Sequence, residues 1–374
     1  MSIVLLIVVL IYSVTLWQLI GGYQKIKTFH PQKTTPKTHF SIVVPFRNEA
    51  ENLPRLLQSV HELNYPLELF EIILVDDASD DASQQIVYQW RMNHGLYHVT
   101  LLENIRRSGS PKKDAIGRAV PIAKGSWILT TDADCILPQE WLMTLDDYIQ
   151  KEQPEMIAAP VIYERARGFL GQFQQLDLVS LQAVTMGSFG LGIGFMANAA
   201  NLGYTKNLFQ QLGGFEGSLS QPGGDDVFLL QKAVAQCPEK IHYLKAKQAI
   251  VKTQTEQSWS KLLSQRIRWA AKATDYKSIF GRDLALMTFA ANLTLLLAAV
   301  LGCFGWISLE ITAAIWLVKV ATDYAMTTPA HGFLTGKSMW FWIPASVLYP
   351  LFASVVALTS LTGKYRWKGR TYSV

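Results

Sequence analysis

Apolar positions follow two regimes along the chain. From Ser2 to Gln24 no residue is charged, and SIVLLIVVLIYSVTLWQLIGG is almost wholly aliphatic or aromatic. That is the length a helix needs to cross a bilayer core, about 20 residues. Uncharged runs return from Leu284 to Leu309 and from Ser338 to Gly363, and the apolar stretch Ile311–Met326 between them is broken by Lys319 and Asp323. In the middle of the chain the runs are short. FSIVVPF (Phe40–Phe46), FEIILV (Phe70–Val75) and WILT (Trp127–Thr130) read as buried strands. RNEAENLPRLLQSVHEL follows the first, with Leu53, Leu56, Leu57, Val60 and Leu63 on one helix face and acids in its first turn; SQQIVYQWRM after the second can form the next helix. Strands alternating with helices predict an α/β fold with a mostly parallel, doubly wound sheet. Ligands bind such sheets beyond the carboxyl ends of the strands. Arg47, Asn48 and Glu49, then Asp76 and Asp77, then Asp132 and Asp134 all stand at such ends.

Composition narrows the class. Charged residues are 17% of the 374, apolar residues 49% and aromatics 11%, which excludes a disordered chain. The net charge of +5 is mild, so its placement matters more than its sum, and no nucleic-acid partner is expected. Cys135, Cys237 and Cys303 are far apart, which excludes a disulfide framework and a cysteine zinc site. The histidines show no metal-ligand spacing. Lys25, Lys27, Lys33 and Lys37 come directly after the first apolar run, and by the positive-inside tendency they place the middle of the chain in the cytoplasm. The first run lacks the basic start, short core and cleavage site of a signal peptide and reads as a retained anchor.

The expected organisation is an anchor at 1–24, a basic linker at 25–38, a catalytic domain at 39–255, an amphipathic interfacial helix at 256–283, a transmembrane region of two to three helices at 284–363 and a basic tail at 364–374 carrying Lys364, Arg366, Lys368 and Arg370. A cytoplasmic domain and a cytoplasmic tail require an even number of crossings after Asp283, whereas three segments are candidates. Pro344 and Pro350 mark the last run for a kink or a re-entrant turn. Lys319 and Asp323, four apart, can pair on one helix face.

The chemistry-bearing positions each carry two readings. In Asp132-x-Asp134 alternate residues beyond a strand let two carboxylates converge, which suits a hard cation such as Mg²⁺; the plain alternative is an acidic loop cap. Asp76 and Asp77 can accept from a base N–H or a ribose hydroxyl, or cap the next helix with Ser79 and Asp80 as rivals. Lys112 and Lys113 precede a helix start that suits a diphosphate, or are a solvated pair. Asp225 and Asp226 follow two glycines; one can serve as a general base for a hydroxyl, or both enrich a helix N-terminus in acids. QSWSKLLSQRIRWAAKATDYK is amphipathic and interfacial, while Arg268 can also fork onto a diphosphate and Trp269 can stack on a sugar or base.

Taken in order, VVPFRNEAENL, ILVDDASDD, KKDAIGRAVPIAKGSWILTTDADC, ANAANLGYTKNLFQQLGGF, GGDDVFLL and QRIRW resemble the membrane-bound family-2 inverting glycosyltransferases. The likeness covers about Phe40 to Trp269, and WKGRTY (Trp367–Tyr372) is similar to the ending of bacterial carotenoid and lipid glycosyltransferases. The D-x-D, D-D and Q-x-x-R-W series is similar to that of ceramide glucosyltransferase. The resemblance implies a Rossmann-like GT-A domain with N- and C-terminal transmembrane helices. It implies that Pro45 and Glu49 line the nucleotide pocket, Asp77 contacts the base, usually uracil, and Lys113 approaches the diphosphate. Asp132 and Asp134 hold Mg²⁺ or Mn²⁺, with Asp134 the more direct ligand. Asp226 is the base, and Asp225, where the family usually has Glu, leaves the choice between the two open. Gln265, Arg268 and Trp269 close over the diphosphate and the acceptor, and residues Asn198 to Tyr204 lie near the acceptor. The implied activity is single transfer of a sugar from a nucleotide-sugar donor, a UDP-sugar first, to a hydroxyl of a membrane lipid or other hydrophobic acceptor. The implied setting is the cytoplasmic face of a bacterial inner membrane. A processive polysaccharide synthase and an inactive sugar-nucleotide-binding scaffold are the competing readings. A nucleotidyltransferase would need a glycine-rich loop after the first strand, where RNEAEN stands.

Overall fold

The computed structural model describes residues 2–32, 34–94, 98–221, 223–272, 277–361, 364–367 and 370–373, with side chains as far as Leu361. Lys33 and Lys368, and the side chains expected to make the tail basic, lie outside the described residues. In chain order the main elements are α1 (Ser2–Lys25), β1 (Phe40–Phe46), α2 (Leu53–His61), β2 (Phe70–Asp76), α3 (Ser83–His94), β3 (Val99–Glu103), α4 (Pro111–Ile122), β4 (Trp127–Thr130), α5 (Trp141–Glu152), β5 (Met156–Ala158), β6 (Val161–Tyr163) and α6 (Gly168–Gly190). They continue with β7 (Leu202–Thr205), α7 (Lys206–Gln211), α8 (Asp225–Gln236), β8 (Ile241–Tyr243), β9 (Val251–Thr253), α9 (Trp259–Ala270), α10 (Ile279–Cys303), α11 (Leu309–Thr335), α12 (Trp342–Ser360), β10 (Lys364–Trp367) and β11 (Arg370–Ser373). The chain forms two compact units, one of residues 27–164 and 196–254, the other of 1–26, 165–195 and 255–374.

The first unit is built on a seven-stranded sheet in the order β3-β2-β1-β4-β7-β5-β8. β3, β2, β1 and β4 run parallel, and β7 is antiparallel to both of its neighbours. The all-buried pattern of β2 matches a strand covered on both faces. Phe46 pairs with Asp76 and Asp76 with Glu103, so three parallel strands end level with one another. A core of β-strand and helix side chains, including Phe40, Ile42, Leu56, Leu57, Trp127 and Trp141, fills one face. The residues expected as a linker are anchored on this unit: Asp146 accepts from the backbone of Lys37 and Thr38 at 3.1 and 3.0 Å. α2 starts at Leu53 with no acid in its first turn; Glu49 and Glu51 stand ahead of it. β3 was not among the expected strands.

The second unit is helical. On α1 the buried positions Leu5, Val9, Tyr12, Leu16, Leu19 and Tyr23 form one stripe, while Ile3, Val4, Ile7, Leu10, Ile11, Val14 and Trp17 are apolar and exposed. A helix that is apolar all round and exposed on one side has the surface of a lipid-facing span. α1, α10 and α12 are long and apolar enough to cross a membrane. α11 carries Glu310, Lys319 and Asp323 and falls outside that set. α12 runs unbroken through both prolines; Pro344 falls in the first turn, where no amide donor is needed.

Within the span expected as the 39–255 domain, α6 clusters with the helical unit. α6 has no charged residue except Asp177 and is buried on most sides, so it needs apolar helices around it. It meets α1 through glycines: a Cβ on Gly190 would stand 1.9 Å from the Gly22 carbonyl oxygen, and one on Gly187 would stand 2.5 Å from that of Leu19. Small residues permit such backbone approach between apolar helices. Gly187→Leu should therefore destabilise the full chain in detergent by about 2 kcal/mol, the usual scale of overpacking, read as a lowered thermal midpoint; an unchanged midpoint would contradict this packing.

Candidate active site

Pro45, Glu49 and Asp77, and beyond β4 Asp132 and Asp134, stand at the carboxyl ends of the parallel strands. β1 runs into Arg47, Asn48 and Glu49, and β2 into Asp77 and Ala78. Asn48 and Ala78 have φ of 53° and 55°, the left-handed region that a non-glycine residue adopts at a cost of about 1–2 kcal/mol. The two loops hold each other there. Asn48 Nδ2 donates to Asp80 Oδ1 at 2.7 Å, and the Asp80 amide donates to Asn48 Oδ1 at 2.9 Å. The Glu49 amide donates to Ser83 Oγ at 2.8 Å, and Asn52 Nδ2 donates to Glu49 Oε2 at 2.6 Å. Pro45 precedes the turn, at the half-buried position of β1.

Asp77 is buried. Its Oδ1 accepts from Asn104 Nδ2 at 2.9 Å and Arg106 Nε at 2.7 Å, while Arg47 Nη1 donates to its carbonyl at 2.7 Å. Asp76 instead accepts from Ser79 and Gln84, and Ser83 at the start of α3 takes its amide acceptor from Asp81. The two adjacent acids thus separate: Asp76 braces its own loop, and Asp77 turns toward the end of β3. Asn104 and Arg106 were missed in the sequence because β3 was missed; VTLLE is a strand pattern, and the rule that flagged the other strand ends would have flagged these residues.

Asn104 also donates to the carbonyl of Pro111, the first residue of α4, at 3.0 Å. The next residue, Lys112, connects the remaining acids. Its Nζ stands 2.7 Å from Asp132 Oδ1 and 3.4 Å from Asp225 Oδ2. Burial by itself would depress the ammonium; the carboxylates of Asp132 and Asp225 outweigh it and hold the Lys112 pKa above the ordinary lysine value. Lys113, expected to approach the diphosphate, has a different setting. Lys113 is 1% exposed, its Nζ donates to the carbonyls of Ser218 and Gln221, and it lies 4.8 Å from the Phe228 ring centroid. Neighbouring residues on a helix point about 100° apart, so only one of the pair can reach the acids; the other ties down the loop that leads to α8.

That loop ends at Gly224, whose φ of 67° sets the turn into α8; a Cβ there would stand 2.6 Å from the Phe228 ring. Asp225 and Asp226 form the first turn of α8 and differ in setting. Asp225 is 5% exposed and faces Lys112. Asp226 is half-buried, and its oxygens accept from the amides of Ala199 at 3.0 Å and Val227 at 2.8 Å. The segment expected near an acceptor, Asn198 to Tyr204, therefore touches Asp226. Burial, with the Asp225 charge, pushes the Tyr204 phenol well up.

Asp134 lies two residues beyond Asp132 and accepts a long contact from the Cys135 thiol at 3.7 Å. Among the described residues no group of three or more His, Cys, Asp or Glu is placed to hold a metal ion. Two carboxylates at a strand end fit Mg²⁺ or Mn²⁺ nonetheless, since a hard ion of this kind is bound by one or two carboxylates and completes its shell with water and substrate phosphates. Gln265, Arg268 and Trp269 lie on α9, in the helical unit.

The family profile "Glycosyl transferase family 2" matches residues 41–204, and "Glycosyl transferase family group 2" matches residues 127–360, well over half of the chain. The chain is 28% identical over 129 residues to the poly(ribitol-phosphate) beta-N-acetylglucosaminyltransferase TarS of Staphylococcus aureus, covering 34% of this chain and 22% of that protein. It is 27% identical over 145 residues to the poly-beta-1,6-N-acetyl-D-glucosamine synthase of Staphylococcus epidermidis, covering 38% of this chain and 33% of that one. The match thus spans a third or less of either relative. Among solved structures, a mannosyltransferase from Pyrobaculum calidifontis in complex with GDP-Man and Mn²⁺ aligns over 95% of this chain and 99% of its own, with TM-score 0.56 and 18% identity, and so shares the fold.

The two lysines should separate experimentally. Lys112→Met leaves acids from two loops without their shared cation, and Mn²⁺ should restore the lost thermal stability. Lys113→Met removes charge-assisted bonds to two carbonyls and should cost about 2–4 kcal/mol, with no recovery on adding Mn²⁺. Thermal unfolding with and without Mn²⁺ checks this; equal recovery of both variants would refute the division of roles.

Proposed function

Because the chain belongs to glycosyl transferase family group 2, we propose that it is an inverting glycosyltransferase moving a sugar from a nucleotide-sugar donor, first of all a UDP-sugar, to a hydroxyl of a membrane lipid or other hydrophobic acceptor. The observation that carries this reading is the junction at Lys112: one ammonium 2.7 Å from the D-x-D acid and 3.4 Å from the D-D acid, on a helix whose first residue is tied through Asn104 to Asp77. A diphosphate needs cationic and hydrogen-bonding groups beside carboxylates that can share a metal, and this rim collects both.

The roles follow from the setting of each residue. Pro45 and Glu49 line the nucleoside, and Asp77 accepts from its base. Lys112, rather than Lys113, meets the diphosphate and moves some of its charge from Asp132 onto it. Asp132 and Asp134 would hold Mg²⁺ or Mn²⁺, which when bound offsets the charge of the departing diphosphate. Asp226 is the base. Asp225 is occupied by Lys112 and buried, whereas Asp226 is more open and is oriented by two backbone amides. Each carboxylate oxygen has more than one acceptor site, so Asp226 can keep those amides and receive the acceptor proton. The acceptor oxygen then bonds to the anomeric carbon on the face opposite the diphosphate. The carbon–phosphate-oxygen bond breaks, its electron pair leaves with the diphosphate, and the centre inverts. Gln265, Arg268 and Trp269 serve the diphosphate and the acceptor.

The setting we favour is the cytoplasmic face of a membrane, with α1, α10 and α12 crossing it and lysines after α1 on the cytoplasmic side. That leaves few helices to line a polymer channel and supports single transfer. The similarity to a polysaccharide synthase favours processive synthesis as the second reading.

Asp226→Asn should lower transfer by about a thousandfold or more, within the range for loss of a positioned base and its charge, while nucleotide binding persists in titration calorimetry; retained transfer would remove Asp226 as the base. Mass spectrometry of products made with Mg²⁺ or Mn²⁺ should show one added sugar per lipid, and a polymer ladder would favour the second reading.

A further inference from the structure

Inside the helical unit, polar side chains from six helices and the approach to α9 form a series of contacts, half-buried to buried. Glu256 Oε1 accepts from Gln265 Nε2 at 3.0 Å, and Gln265 Oε1 accepts from Arg266. Arg266, 5% exposed, pairs through Nε with Asp177 of α6 and lies 4.2 Å from the Trp269 ring centroid. Tyr349 of α12 packs into the same cluster as Leu262 of α9 and Phe173 of α6, with its ring centroid 6.1 Å from that of Phe173. Lys319 of α11, 2% exposed, pairs with Asp323 at 2.6 Å, donates to Asn292 of α10 at 2.8 Å, and lies 5.6 and 5.7 Å from the ring centroids of Tyr349 and Tyr12. Tyr12 of α1 closes the series by donating to Asp323 at 2.7 Å.

Apolar packing alone would hold α9 loosely in rotation. Leu262 sits among Phe173, Leu176 and Ala345, and contacts of that kind survive a small turn of the helix. The Arg266–Asp177 pair does not: with successive residues about 100° apart, turning α9 by one position would separate this buried ion pair, a strongly unfavourable change. Fixing Arg266 also fixes Trp269, three residues on and on the same side, and with it the azimuth of Arg268.

We propose that Asp177, Arg266, Tyr349, Lys319 and Asp323 form a rotational lock, positioning residues that set how α9 presents Arg268 and Trp269. Its effect on catalysis rests on the function proposed above for Q-x-x-R-W; the lock itself does not.

The experiment uses the full chain in lipid nanodiscs, with two readouts: amide hydrogen exchange of residues 259–270, and donor KM against kcat. Asp177→Asn should speed exchange across α9 and raise donor KM, each by about tenfold, with a smaller change in kcat; Asp177→Glu, which keeps the charge, should recover part of both. Asp323→Asn should shift α9 exchange in the same direction. The double variant Asp177→Leu with Arg266→Met removes both charges and so avoids an unpaired one; it should fold and still show fast α9 exchange and raised KM. Wild-type exchange and KM in the double variant, or exchange that rises equally over every helix of the unit, overturns the lock. Arg268→Ala tests the other premise separately: an unchanged donor KM there removes Arg268 from the donor site while the exchange result still decides the lock.

Discussion

The organising constraint of the sheet unit is that carboxylates from distant stretches of chain share one ammonium. Lys112 pairs with Asp132, just beyond β4, and with Asp225, at the start of α8. Without that cation, like charges would face one another at a partly buried rim, and their mutual repulsion and desolvation would both oppose folding. The fold supplies the cation from the first turn of α4, the helix that starts beside both acids.

Positioning of the remaining groups depends on backbone rather than on side-chain packing. Parallel strands that end level, with Phe46 beside Asp76 and Asp76 beside Glu103, deliver three loops to one edge. Two of these loops contain left-handed non-glycine residues, Asn48 and Ala78, and are held by reciprocal hydrogen bonds. The strain is tolerated because the surrounding bonds over-determine it. The helical unit follows a different principle. Its outer surface is apolar and its inner series of contacts polar, so charges such as Lys319 and Asp323 persist only as pairs.

Much of this was legible in the sequence, for identifiable reasons. β1, β2 and β4 were readable because buried parallel strands are short runs of branched and aromatic residues, and the acids after them marked the sheet's functional edge. β3 was overlooked, and Asn104 and Arg106 with it, because VTLLE is short and partly polar. Lys113 was singled out by pattern resemblance; helix azimuth decides that Lys112 meets Asp132 and Asp225 while Lys113 meets the carbonyls of Ser218 and Gln221. α6 was assigned to the sheet unit by position along the chain, although its near-absence of charge already agreed with burial among helices.

Sequence alone determined the classes of segment: which stretches are apolar enough to be lipid-facing helices, which alternate as strand and helix, and which acids must lie at strand ends, because periodicity and turn chemistry are local properties. Tertiary structure alone decided partners: that Lys112 joins Asp132 to Asp225, that Asp177 meets Arg266, and that Asp226 rather than Asp225 is the more open acid. Those outcomes depend on through-space distances and on burial, which residues far apart in the chain acquire only when the sheet and the helices have closed around them.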